Sequence, residues 1–131
     1  YGVYDFTNSG GNLPSAGMGL MWVLERVVLK AALAADRARF ERASPLWHVS
    51  PEAPPFFVIH GDRDNLVPVA EARRFVAALR ERSRAPVVYA ELYGAHHAFD
   101  VFYSPRTQEV IRGVDRFLSW VYGEHQRARA A

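Results

Sequence analysis

The run Pro55-Phe56-Phe57-Val58-Ile59-His60-Gly61-Asp62-Arg63-Asp64-Asn65-Leu66-Val67-Pro68 reads as a strand, a polar turn and the start of a helix. Five consecutive apolar or aromatic positions bounded by Pro55 and Gly61 predict a strand buried on both faces, the pattern of a parallel sheet. Pro68 suits a first helical position, where its missing N–H costs nothing. The helix it opens runs to about Ser83, with Phe75, Val76 and Leu79 as its apolar stripe, and Pro86 stops it. Val87-Val88-Tyr89-Ala90-Glu91-Leu92 then predicts a second strand, and Tyr93-Gly94-Ala95-His96-His97-Ala98-Phe99-Asp100 the loop after it.

Working outward, Ser104-Pro105 forms a cap and first-turn pair for a last helix. Its stripe is Val110, Ile111, Val114, Phe117, Leu118, Val121 and Tyr122, with Gly123 as its stop and Glu124–Ala131 as a frayed tail. Upstream, Tyr1–Phe6 predicts a short strand ended by the turn-prone Thr7-Asn8-Ser9-Gly10-Gly11-Asn12. From Met18 to about Arg42 apolar residues recur at helical spacing, with Leu20, Val23, Leu24, Val27, Val28 and Ala31 as the stripe and a break near Asp36. Residues 43–55 form a loop pinned by prolines. Strands alternating with helices in this order predict an α/β fold of parallel strands, βαβαβα, with right-handed crossovers.

Composition narrows the function. The chain has 131 residues, no cysteine, a net charge of +2 and 50% hydrophobic residues, which is globular composition. Without cysteine there is no disulfide, thiolate zinc site or Cys nucleophile. Of the 16 basic residues only Lys30 is a lysine. The arginines are scattered among acids, as on a solvated helix face, so no nucleic-acid partner is expected. No stretch suits an integral membrane segment. Nor does Tyr1-Gly2-Val3-Tyr4-Asp5 have the basic region and apolar core of a signal peptide, which leaves the compartment open between cytoplasmic and cell-associated. Lacking a start Met too, the chain is expected to have lost its beginning.

In open parallel sheets reactive groups sit beyond the carboxyl ends of strands. Two loops here qualify. One carries Asp62 and Asp64, the other His96 and His97. Adjacent parallel strands lie about 4.8 Å apart, so a carboxylate on one loop and an imidazole on the next can meet. Such a pair orients the imidazole and stabilises its protonated form, as in the lower part of a hydrolytic triad. His60 reads as a strand-end residue that packs or hydrogen-bonds, and His48 and His125 as structural or solvated. No metal is expected, since adjacent histidines do not readily face one ion and no HExxH spacing occurs.

The segment HGDRDNLVPV followed, about thirty residues later, by GAHHAFD resembles the C-terminal part of α/β-hydrolase-fold esterases and lipases, of the hormone-sensitive-lipase-like or feruloyl-esterase-like bacterial kind. The likeness covers roughly residues 44–122. It implies that the G-x-x-D-x-L-V-P acid falls on Asp64 and the H-x-F base on His97, with Asp62 and His96 as adjacent near-misses. It further implies a carboxylic ester hydrolase acting on a small-molecule ester without cofactor or metal.

The nucleophile elbow G-x-S-x-G occurs nowhere in the chain, and neither does a Gly-rich oxyanion segment. The chain is therefore expected to be the C-terminal part of one catalytic domain spanning residues 1–131, inactive alone, with 12–50 a candidate lid or cap connection. A half-sheet exposes a strand edge, so an oligomer or a missing N-terminal half is expected to cover it. The competing classes are a prolyl-oligopeptidase-like serine peptidase, which shares the HGxxDxxVP turn, and a non-catalytic hydrolase fragment.

Overall fold

The computed structural model describes residues 1–130, which divide into two compact units, residues 1–97 and the residues from Ala98 onward. At the centre of the first unit, β1 (Phe56–Gly61) and β2 (Val87–Leu92) pair in parallel, in register from Phe56↔Val87 to Gly61↔Leu92. Between them α3 (Val69–Arg82) makes the crossover. The helix arises from its apolar spacing: Ala72, Phe75, Val76 and Leu79 are buried and pack with Val58 of β1. Tyr4 stacks on Phe75 with ring centroids 4.6 Å apart, and Phe56 meets the same ring edge-on at 5.5 Å. Each large side chain so buried is worth about 1.5–3 kcal/mol.

β1 is buried less evenly than its composition predicts. Val58 and His60 are buried, whereas Phe56, Phe57 and Ile59 are half-buried. Side chains alternate along a strand, so the pattern marks one face covered and the other more open. The expected strand at Tyr1–Phe6 is a correction: the segment stays outside the sheet, which among the described residues has two strands. Its polar groups pair irregularly, Tyr1 N with Ile59 O (2.8 Å), Tyr4 O with Leu46 N (2.9 Å) and Phe6 N with Ser44 Oγ (2.8 Å). Pairing with the 44–46 loop replaces a ladder.

The connection over residues 12–50 holds α1 (Leu20–Val23), a π turn (Leu24–Val28), α2 (Arg37–Ala43) and a 3-10 turn (Pro45–His48). The break expected near Asp36 is longer than that, covering residues 29–36, and Asp36 marks its end: its carboxylate accepts Arg39 N at 3.1 Å and caps α2. Leu20, Met21 and Leu24 join Leu13, Phe40 and Val67 in a second core cluster. Val27 and Val28, expected on the same stripe, are more than half exposed. The π turn explains this, because Leu29 N reaches Leu24 O five residues back, and the added residue rotates the adjoining positions off the buried face.

In the second unit α4 spans Pro105–Ala130. The Ser104 hydroxyl caps it by accepting Thr107 N at 3.1 Å, and Thr107 is buried. Gly123 does not stop the helix, and the segment expected to fray is helical through Ala130, while Ala131 lies outside the described residues. A glycine inside a helix costs only about 0.5–1 kcal/mol, and the Glu124–Arg127 ion pair braces the next turn. Among the described residues no helix is long and apolar enough to cross a membrane.

Candidate active site

The two loops beyond the strand ends are sewn together by main chain. Asp62 N donates to Leu92 O at 3.1 Å, Arg63 N to Ala95 O at 3.0 Å, and the Asp62 carboxylate accepts Gly94 N at 2.7 Å. Gly61 lets the strands approach this closely. A Cβ there would overlap the Ala95 carbonyl oxygen and lie 2.7 Å from its carbon. Gly94 supplies a left-handed residue, at φ 67°, where the second loop turns back.

Within this frame Asp64 is buried, and its carboxylate is fixed from two sides. Oδ1 accepts Leu66 N at 3.0 Å and Val67 N at 2.8 Å from its own turn. Oδ2 lies 2.8 Å from His97 Nδ1. Val67 belongs to the second core cluster, so the turn is anchored on its apolar side as well. Of the two acid–base choices the sequence left open, the geometry joins Asp64 to His97. Asp62 serves as a clamp between loops, and His96 is exposed.

An ionised carboxylate can only accept, so a neutral His97 ring bonded to it carries its proton on Nδ1 and its lone pair on Nε2. The His97 side chain is 27% exposed while that of Asp64 has no exposure. The imidazole is thus accessible, and the carboxylate beside it is sheltered from water. Tyr1 packs edge-on against the His97 ring with centroids 4.6 Å apart.

His60 is a third participant, one that the sequence marks only as a residue that packs or hydrogen-bonds. It is fully buried at the end of β1. Its Nε2 lies 2.8 Å from Val67 O and 3.3 Å from Asp64 Oδ2. Burial is the largest influence on its pKa and lowers it, disfavouring the charged ring. The available signal was positional: the last inward residue of the strand, four before Asp64. His48 bonds Arg42 O at 2.8 Å, as a structural residue would. Among the described residues no three His, Asp or Glu side chains are arranged to hold a metal ion.

A model of the BD-FAE family matches residues 1–79, more than half of the chain. The chain belongs to the BD-FAE family. It is similar to three proteins of Mycobacterium tuberculosis. It is 44% identical over 98% of its length to one named "Esterase LipQ", and 48% identical over 93% to a "Probable carboxylic ester hydrolase LipM". With "Esterase LipC" it shares 44% identity over 76% of its length. It spans 30%, 28% and 25% of those relatives' own lengths.

The fold likeness is to esterases as well. The butyrate-bound Est2 esterase of Thermogutta terrifontis aligns with a TM-score of 0.66 at 21% identity, over 91% of this chain and 41% of that one. A truncated carbohydrate esterase from gut microbiota aligns at 0.60 and 20% identity, over 75% of this chain and 33% of that one. BD-FAE membership and these likenesses establish an α/β-hydrolase-type fold, of which β1, α3 and β2 form one βαβ unit.

Proposed function

We propose that this BD-FAE chain supplies the acid and base of a carboxylic ester hydrolase, Asp64 as the orienting acid and His97 as the general base. The observation that carries the reading is the 2.8 Å contact between His97 Nδ1 and a buried Asp64 carboxylate at two successive parallel strand ends. The names of the mycobacterial relatives support the ester as substrate class.

In this reading the nucleophilic serine and the oxyanion donors come from outside these 131 residues, none of which lie in a G-x-S-x-G motif. His97 Nε2 takes the serine proton as the hydroxyl attacks the ester carbonyl, then returns it to the departing alcohol. Water repeats the cycle on the acyl-enzyme and releases the acid. Asp64 keeps the proton of neutral His97 on Nδ1 and offsets the positive charge that the ring gains in each transition state. Neither cofactor nor metal takes part.

For the connection over residues 12–50 a lid role rests on Met18 and Trp22, which are 80% and 41% exposed. Leu20, Met21 and Leu24, on the same stretch of chain, belong to the core instead. The proposed cover for the open sheet edge is the serine-bearing portion or a second copy.

The test is hydrolysis of a short-chain aryl ester by the chain joined to its serine-bearing portion. His97→Ala should lower kcat by about four orders of magnitude, the scale on which triads lose function. Rates equal to the parent in that variant would overturn the assignment.

A further inference from the structure

We infer that His60 is a positioning residue for the Asp64–His97 pair: a neutral imidazole whose Nε2–H ties the turn shut behind the carboxylate. The inference rests on the ester-hydrolase reading and deepens it. A carbonyl oxygen can only accept, so the 2.8 Å contact with Val67 O places the His60 proton on Nε2. That bond joins the root of the turn, at the end of β1, to its exit, where the same residue's N–H holds Asp64 Oδ1 at 2.8 Å. The polarised edge of the ring also lies 3.3 Å from Oδ2, the oxygen that His97 uses. His60 thus fixes the carboxylate plane through Val67 and adds a favourable dipole beside the oxygen facing the base.

The other ring nitrogen argues against a titrating role. Among the described residues His60 Nδ1 is buried without a hydrogen-bond partner. A proton there would be a buried, unpaired donor, so protonation is disfavoured on geometry, and burial independently lowers the ring's pKa. Asp64 therefore sits between two imidazoles of fixed and different duty. His97 is partly exposed and exchanges protons; His60 is sealed and holds still.

The test uses two substitutions. His60→Met removes the donor and keeps apolar bulk, and His60→Gln replaces the Nε2–H with a carboxamide N–H. Nitrogen-15 spectra of the imidazoles should show His60 as the Nε2–H tautomer and His97 as the Nδ1–H tautomer in the parent. In His60→Met, His97 should drift toward the tautomer mixture of a free imidazole. Ester-hydrolysis kcat should fall about ten-fold, the rate equivalent of one hydrogen bond, with KM unchanged. His60→Gln should restore most of both. Parent-like kcat and His97 tautomer in His60→Met, or no rescue by Gln, would overturn the inference. Should His60→Met fail to fold, the parent spectrum still decides, because a His60 proton on Nδ1 is incompatible with the role. Failure here is separable from failure of the ester-hydrolase reading, which His97→Ala tests independently.

Discussion

Two buried aspartates in the first unit, Asp5 and Asp64, begin with the same device and end with different partners. Each carboxylate is caught by the turn just after it. At Asp5 the turn consumes both oxygens. Oδ1 takes the Thr7 amide at 2.9 Å and the Thr7 hydroxyl at 2.5 Å, and Oδ2 takes the Ser9 amide at 2.9 Å and its hydroxyl at 2.6 Å. Arg74 adds a cation 3.4 Å from Oδ2. Burial alone would raise this carboxyl's pKa, but the bonds from Ser9 and Thr7 outweigh it and hold the pKa low. At Asp64 the positions two and three residues on are Leu66 and Val67, which offer only amides, and both go to Oδ1. Four residues on stands Pro68, which has no N–H at the place where Ser9 supplies one. Oδ2 meets His97 at 2.8 Å, with His60 Nε2 3.3 Å away. A saturated carboxylate is structural, and one with an oxygen to spare can orient a base.

The sharpest way to break this comparison is to neutralise each acid in turn. Asp64→Asn should leave the fold nearly intact yet lower ester-hydrolysis kcat by about 10⁴-fold, since the amide no longer enforces the Nδ1–H tautomer. Asp5→Ala should do the opposite, costing about 3 kcal/mol in urea unfolding by stripping partners from buried donors and Arg74, with no direct effect on chemistry. Equal kinetic losses in the two variants would abolish the distinction.

A second substitution attacks the frame rather than the acids. Gly61→Ala forces a methyl group into the Ala95 carbonyl, so the 62–67 and 93–97 loops must part. A stability loss of about 2–3 kcal/mol is expected, with loss of the His97 Nδ1–H resonance, because overpacking against main chain cannot be relieved by a rotamer. Retention of that resonance would show that the loops hold each other without the close approach.

The smallest effect is in pH. His60 faces Asp64, His97 and Tyr4, and burial lowers its pKa from the ordinary 6.5. Below pH 6.5 the unfolded chain binds a proton that the folded one refuses, so this contribution is complete above that value and is lost as pH falls toward the lowered pKa. The slope is at most about 1.4 kcal/mol per pH unit. The surface carboxylate Glu91, bonded bidentately by Arg73 and lowered to about 2, acts in the separate window from 4.5 downward. Urea midpoints between pH 8 and pH 5 should therefore fall in the parent and level out in His60→Gln. Identical slopes would place the acid sensitivity elsewhere.

Local residue chemistry carried much of this in advance. Strong periodicity and proline punctuation mark α3, β2 and the break at Asp36, because the forces that make them act within a few residues. Asp64 and His97 were legible as a pair through a resemblance of motif. Where the sequence misled, the deciding force was non-local. Tyr1–Phe6 has the composition of a strand, yet it spends hydrogen bonds on Leu46 and Ser44. Val27 and Val28 have helical spacing but lose the buried face to one π turn. Gly123 has the look of a helix stop, but an interior glycine is a modest penalty and α4 continues past it.

By itself, then, the sequence determined the βαβ unit from Phe56 to Leu92 and the residue types at its two strand ends, since alternation, apolar runs and turn residues are properties of neighbours. Only the tertiary structure decided that the Asp64 carboxylate and the His97 imidazole stand 2.8 Å apart, that Gly61 is needed for the loops to touch, and that His60 stands sealed behind Asp64. Those facts depend on distances across 33 residues of chain, set by strand register and main-chain bonds between loops.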